Sequence, residues 1–384
     1  MKILFITNNS LLYGANKSLL NTILGLRQYD ISAYVILKTD GPFVDELKKN
    51  NIPYFFIDFK DCVQFLNRNT FISHIKRYKR AIFNRLIPNV NLIKEFKPII
   101  FQNKIDIICS NSSTFNIGLF VAKKYKKKHI WYLREFGFKD YHLYPDFGFS
   151  FQKLLINQFS DSAIAISKSI FDHYSYPFFK HKFSVIYNGI FNKELCLNIF
   201  ENNQSQLNTE NPTVSIVGAI NKNKGQSTAI LAIKKVKDLY PQIKLRIIGD
   251  GNLSAVLKLI EDHDLSKNVE IINFTKDIIA IYQSSSCLLM CSANEAFGRV
   301  SVEAMLCGCP VIGFNSAGTA EIIKHNFNGL LYNNLEELEK HILFIIENQE
   351  ARQKIIKNAF KDSLEKYTTE EHAYHFLNHL KTIK

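Results

Sequence analysis

Short apolar runs alternate with helix-period segments along this 384-residue chain, and the alternation happens twice. In the first half, residues 3–7, 32–37, 54–57, 105–110, 129–133, 163–167 and 184–187 read as strands, with helices at 16–29, 44–50 and 114–127. The pattern restarts with strands at 214–217, 244–248, 269–272, 288–291, 311–314 and 329–332 and helices at 226–239, 253–263 and 302–306. Strands joined through helices lie parallel, so each half is expected to form an α/β, doubly wound sheet. Asn188-Gly189 closes the first half, and the polar stretch 201–211 with Pro212 reads as a linker. Ligands of such sheets bind at the carboxyl ends of the strands.

At one strand end stands the block Glu295-Ala296-Phe297-Gly298-Arg299-Val300-Ser301-Val302-Glu303, after the apolar run Cys287-Leu288-Leu289-Met290. A strand, a glycine turn and a helix leave unpaired N–H groups at the helix N-terminus, where anions such as phosphate are favoured. A carboxylate before the turn can hold sugar hydroxyls, and a second one eight residues on can hold a ribose diol. Diphosphate donors flanked by hydroxyl acceptors are what a nucleotide-sugar site requires.

With the following Ala304-Met305-Leu306-Cys307-Gly308-Cys309-Pro310-Val311-Ile312, this block resembles the E-x7-E region of retaining glycosyltransferases of family 4. The resemblance implies the GT-B fold, two Rossmann-like doubly wound domains facing a central cleft. It implies an acceptor-side domain at 1–190, a nucleotide-sugar domain at 191–364, and a C-terminal helix over 365–384 that packs back on the first domain. Glu295 would then hold the donor sugar, Glu303 the ribose, and Ala296, Phe297, Gly298, Arg299 and Val300 would line the donor site.

Val217-Gly218-Ala219-Ile220-Asn221-Lys222-Asn223-Lys224-Gly225 resembles the same family's phosphate loop, which makes Lys224 the cation for the diphosphate. The family's Arg falls on Ala219 here, and Lys222 or Arg299 is the candidate replacement. Tyr13-Gly14-Ala15-Asn16 resembles the family's small-residue loop, with Gly14 near the donor, or is an ordinary strand–helix turn. Gly249-Asp250-Gly251 lacks the third glycine of a dinucleotide fingerprint and matches the family's strand-end glycine pair, which puts Gly249 near the nucleotide. Ser316-Ala317-Gly318-Thr319-Ala320-Glu321 reads as a structural turn. Trp131-Tyr132-Leu133-Arg134-Glu135 stands where many relatives carry a His. Arg134 and Glu135 are therefore acceptor-side candidates or a buried structural ion pair, and His129 reads as packed.

The Asp262–Asp264 pair at a helix–strand junction reads as a charged surface turn, and Cys307-Gly308-Cys309 as small packing residues, so no metal and no cofactor are expected. Seven cysteines without a spaced framework fit reduced thiols. No apolar run approaches the ~18–20 residues of a membrane span, and the short first run reads as a strand rather than a signal peptide, so a cytoplasmic protein is expected.

The net charge of +13 is uneven. Residues 1–190 hold 27 Lys and Arg against 13 Asp and Glu, whereas the remainder holds 21 against 22. A basic first half suggests an anionic partner. The runs His74–Arg85 and Lys123–Lys128 concentrate the excess; the first mixes apolar and basic residues as an interfacial helix does, and otherwise is a solvated face. None of the usual nucleic-acid modules is visible. The expected activity is transfer from a nucleotide-diphosphate sugar to a saccharide or lipid-linked acceptor in bacterial surface polysaccharide assembly. The enzyme would work from the cytoplasm, with peripheral contact to the anionic inner face of the plasma membrane. A GT-B sugar-nucleotide epimerase and a non-catalytic nucleotide-sugar-binding subunit remain the alternatives.

Overall fold

The computed structural model describes residues 1–65, 77–203, 210–273, 275 and 277–383. The chain divides into two compact units, one made of 1–189 with 369–384 and the other of 190–368.

Among the described residues the first unit has nine strands: β1 (Lys2–Ile6), β2 (Ser32–Leu37), β3 (Tyr54–Phe56), β4 (Val63–Phe65), β5 (Ile107–Ser110), β6 (Lys128–Leu133), β7 (Leu143–Pro145), β8 (Ser162–Ala165) and β9 (Phe183–Val185). Seven of them form one sheet in the order β3-β2-β1-β5-β6-β8-β9, with every pairing parallel. β5 and β8 are buried at every position, as strands covered by helices on both faces must be. β4 and β7 form a separate antiparallel pair, tied down by Arg85, whose guanidinium donates to Val63 O at 2.7 Å and to Asp146.

The second unit holds β10 (Thr213–Val217), β11 (Lys244–Ile248), β12 (Val269–Ile272), β13 (Cys287–Met290), β14 (Val311–Phe314) and β15 (Leu330–Tyr332). Their order is β12-β11-β10-β13-β14-β15, all parallel. In both sheets the winding direction reverses beside the first strand, between β1 and β5 and between β10 and β13. These are the topological switch points at which a doubly wound sheet opens a crevice.

The helix Thr369–Thr382 belongs to the first unit. The sequence reading starts it at 365; the structure ends one helix at Lys366 and begins the next at Thr369. It lies close against the Gly14–Leu26 helix, where a Cβ on Gly25 would stand 2.8 Å from that of Ala373. Two buried histidines fasten it: His372 Nε2 meets Thr22 Oγ1 at 2.8 Å, and His379 meets Ser162 and Ser184 at 3.0 and 2.8 Å.

The expected linker at 201–211 is corrected in part. Glu201 ends the Lys193–Glu201 helix, which Asn192 caps, and both lie inside the second unit. Residues 204–209 of that stretch lie outside the described set. Capping side chains set helix starts elsewhere too, Ser167 at Lys168–Tyr174 and Asn334 at Leu335–Glu347, each cap worth about 1 kcal/mol.

Candidate active site

The second unit's switch point brings together Lys224, Gly249 and Glu295 of the residues singled out in the sequence. β10 ends at Val217, and Gly218 and Ala219 follow it; β13 ends at Met290 and runs on to Glu295. Between these two loops Lys224 Nζ stands 2.7 Å from Glu295 Oε2, both side chains partly buried. Residues 71 positions apart in the chain thus meet as a cation and a carboxylate at the strand ends.

Glycines shape the floor. Gly249, at φ +145°, passes so close to β10 that a Cβ there would lie 2.1 Å from Gly218 O, and Gly251 meets Ile220 O in the same way. Gly249 is therefore required for the approach of two backbones. Gly225, at φ +75°, lies against Cys291, where a Cβ would stand 2.5 Å from both Cβ and O. Gln226, buried behind the loop, donates to Ala219 O at 3.0 Å and holds the stretch where the family's Arg would stand.

The helix expected at 302–306 begins three residues earlier and runs Arg299–Leu306, because Gly298 at φ +97° turns the chain into it. Its first amides, on Arg299 and Val300, have no acceptor within the helix, as at any helix N-terminus. Phe297 is buried against Tyr367 with ring centroids 5.7 Å apart. The Ser316–Gly318 turn braces the block from behind: Gly318 N donates to Glu295 O at 2.9 Å, and Ser316 Oγ to Ala293 O at 2.8 Å. A Cβ on Gly318 would lie 2.7 Å from Phe297 O.

Glu303 is doubly held. Arg299 Nε donates to Oε1 at 2.7 Å and the Tyr282 hydroxyl to Oε2 at 2.9 Å. Burial, reinforced by the carboxylate beside it, pushes the Tyr282 phenol well above its usual range, so it stays protonated and donates. Tyr282 is a site residue the sequence reading does not contain; it sits on the Ile278–Gln283 helix with no local spacing to tie it to Glu303. Of the two candidate replacements for the missing cation, Arg299 is engaged by Glu303, and Lys222, three residues after Ala219 in sequence, is exposed.

In the first unit Gly14 is the exposed first residue of the Gly14–Leu26 helix. Buried Asn16 organises the loop before it: its amide donates to Leu11 O at 2.7 Å and to Asn9 O at 3.1 Å, and its Oδ1 accepts from Thr7 Oγ1 at 2.9 Å. Arg134 and Glu135, neighbours in sequence, take separate partners. Arg134 donates to Asn111 Oδ1 at 2.5 Å and Asn188 Oδ1 at 2.8 Å and lies over the Tyr132 ring. Glu135 Oε1 accepts from Ser112 Oγ, Ser113 N and Ser113 Oγ at 2.9, 2.6 and 2.7 Å. Burial pushes the Glu135 carboxyl up, against the pull of those three hydrogen bonds. His129 is packed: wholly buried, it meets Ser110 Oγ at 3.0 Å, and burial lowers its pKa to about 3.

The basic run of the first unit is divided. His74 and Lys76 lie outside the described residues, and Arg77 is buried between the Tyr78 and Tyr144 rings rather than solvated. Lys79 and Arg80 are exposed, as are the apolar Tyr78, Ile82, Phe83, Ile87 and Val90. No helix among the described residues is long and apolar enough to cross a membrane. Among the same residues no group of three or more His, Cys, Asp or Glu is placed to hold a metal ion.

Known proteins resemble this arrangement. Residues 198–362 match the family described as glycosyl transferases group 1. The chain is 25% identical to the alpha-monoglucosyldiacylglycerol synthase of Acholeplasma laidlawii over 373 residues, covering 91% of this chain and 88% of that protein. An uncharacterized glycosyltransferase of Methanocaldococcus jannaschii is 32% identical over 219 residues, 55% of this chain. The chain spans about half the length of the first curated relatives it matches, 57% and 41%. In solved structures, HepE of Anabaena in complex with UDP-glucose superposes with a TM-score of 0.77 at 22% identity, over all of both chains. Residues 198–362 thus resemble the glycosyl transferases group 1 family, and the chain carries the GT-B fold.

Proposed function

We propose that this chain is a retaining, metal-independent glycosyltransferase that moves a sugar from a nucleotide-diphosphate sugar, with UDP as the nucleotide, to a saccharide or lipid-linked acceptor. The observation that carries the reading is the contact between Lys224 and Glu295 at the switch point, beside a helix N-terminus. Support for UDP comes from the solved neighbour, whose structures contain UDP and UDP-glucose.

In this reading the diphosphate takes the place of Glu295 as partner of Lys224, and the amides after Gly298 meet the charge that develops as it departs. Donors so placed are worth about 3–4 kcal/mol each in a dry site. Glu295, released, holds the donor sugar's hydroxyls, and Glu303, steadied by Tyr282 and Arg299, holds the ribose diol. Lys222 supplies the second cation that Ala219 lacks. No protein nucleophile is assigned; the leaving phosphate takes the acceptor's proton. Arg134 and Glu135 stand on the acceptor side, and the exposed Phe83–Val90 surface with Lys79 and Arg80 rests on an anionic membrane face during surface polysaccharide assembly.

The test is product analysis with UDP-glucose and a panel of saccharide and lipid-linked acceptors. A product one hexose heavier than its acceptor is expected, with EDTA present, and Glu295→Ala should lower its formation by roughly 10²–10³. Epimerised donor formed without any acceptor would replace this reading with the epimerase, and wild-type turnover by Glu295→Ala would remove the assignment.

A further inference from the structure

A cavity of about 460 Å³ lies in the second unit at the end of the sheet opposite the Lys224–Glu295 contact. Its wall includes Thr213 at the start of β10, Ser286 just before β13 and Pro310 just before β14, all amino ends of strands. The donor reading uses only the carboxyl ends, so it leaves this cavity unexplained.

Two cations from the Gln349–Lys366 helix line it, Arg352 and Lys357, and among the described residues no acidic one does. Arg352 is 5% exposed, yet its Nη1 is buried with no hydrogen-bond partner. A buried guanidinium without a carboxylate is costly, and a native structure seldom keeps one unless something absent satisfies it. The described residues provide no counter-ion, and the sequence at 204–209, Gln-Ser-Gln-Leu-Asn-Thr, contains no acid. The rest of the wall carries no charge and mixes the Gln353 amide and the Ser284 hydroxyl with the apolar Phe200, Ile356 and Pro310.

We propose that this cavity binds a small phosphorylated sugar, with Arg352 and Lys357 on the phosphate and the amide and hydroxyl wall on the sugar. The Arg fork matches phosphate oxygens in pairs. The volume falls in the ~300–1,000 Å³ range of small-molecule sites. The site also adjoins Gly308, which follows the helix carrying Arg299 and Glu303, so its occupant touches the base of the element that presents them. The inference does not depend on the transferase activity.

Calorimetric titration of the full chain with glucose 6-phosphate, glucose 1-phosphate, inorganic phosphate and glucose tests it, each run with and without saturating UDP. A hexose phosphate should bind with Kd below about 1 mM and tighter than inorganic phosphate. Glucose should not bind, and UDP should leave the binding unchanged. Lys357→Gln, a change at an exposed position, should weaken it by about fivefold or more, and Arg352→Gln should abolish it. The proposal is overturned by the absence of any hexose phosphate binding, by sugar phosphates binding no tighter than phosphate, by displacement with UDP, or by wild-type affinity in Lys357→Gln. UDP binding is read in the same titrations, so failure of the donor assignment and failure of this one are told apart.

Discussion

The Tyr282 hydroxyl donates to Glu303 Oε2 at 2.9 Å, a contact between two helices that steadies the second carboxylate of the E-x7-E block. With Arg299 on the other oxygen, Glu303 is fixed before any ligand arrives, and preorganisation of this kind lowers the ordering cost of binding.

Removing that hydroxyl separates positioning from packing. Tyr282→Phe keeps the ring in its buried place but deprives Glu303 of a donor, a loss of about 1 kcal/mol in stability. Under the ribose assignment the Kd for UDP should rise several-fold, measured by calorimetry. Unchanged affinity would detach Glu303 from the nucleotide.

Gly249 is intolerant of a side chain. A Cβ would sit 2.1 Å from Gly218 O, on a backbone at φ +145°. Gly249→Ala should cost about 2 kcal/mol or more and lower the melting temperature by several degrees. A melting curve like that of the wild type would contradict the close approach of the two loops.

Asn16 secures the loop that precedes Gly14. Asn16→Ala removes hydrogen bonds to Thr7, Asn9 and Leu11 and should cost about 2–3 kcal/mol. Chemical denaturation would read the loss as a lower midpoint with an unchanged slope.

Acid should destabilise the chain through its buried imidazoles. Burial lowers His372 and His379 to about 4, and His129 to about 3. An unfolded chain binds those protons near pH 6.5, so the native state binds fewer between about pH 4 and 6.5. Stability is then complete above 6.5 and falls as the pH drops through that window, by about 2 kcal/mol per His at pH 5. Melting temperatures from pH 7.5 to 5 check this, and a flat profile would contradict it.

The alternation of apolar runs carries the fold because parallel strands buried on both faces are continuous stretches of Ile, Val and Leu. Strands β2, β11, β12 and β14 stand at the residues those runs mark. Less is legible where the pattern is diluted. The Gln349–Lys366 helix is mostly charged and amide side chains, and the stretch from Arg77 to Gln102 is a succession of short helical turns, so neither shows a clean period. Helix starts move because glycine and capping geometry set them; the block after Gly298 begins three residues before its apolar period does.

The site divides in the same way. Lys224 and Glu295 meet because each ends a strand–turn unit beside the switch point, which spacing and topology together express. Tyr282 reaches the site from a separate helix, and no local motif marks it; Gln226 follows the phosphate loop directly, but its hydrogen bond to Ala219 O is not expressed by the motif. Arg134 and Glu135 are visible as an unusual pair, but their separate partners, Asn111 and Asn188 for one and Ser112 and Ser113 for the other, emerge only in three dimensions.

In the proposed reading Lys224 is held by Glu295 in readiness for a diphosphate. Calorimetric titration of UDP into the wild type and Lys224→Ala, both in EDTA, tests it most directly. Metal-free binding by the wild type, weakened about tenfold or more in Lys224→Ala, is the predicted result. Equal affinity in the two proteins, or binding that disappears with EDTA, would contradict the account.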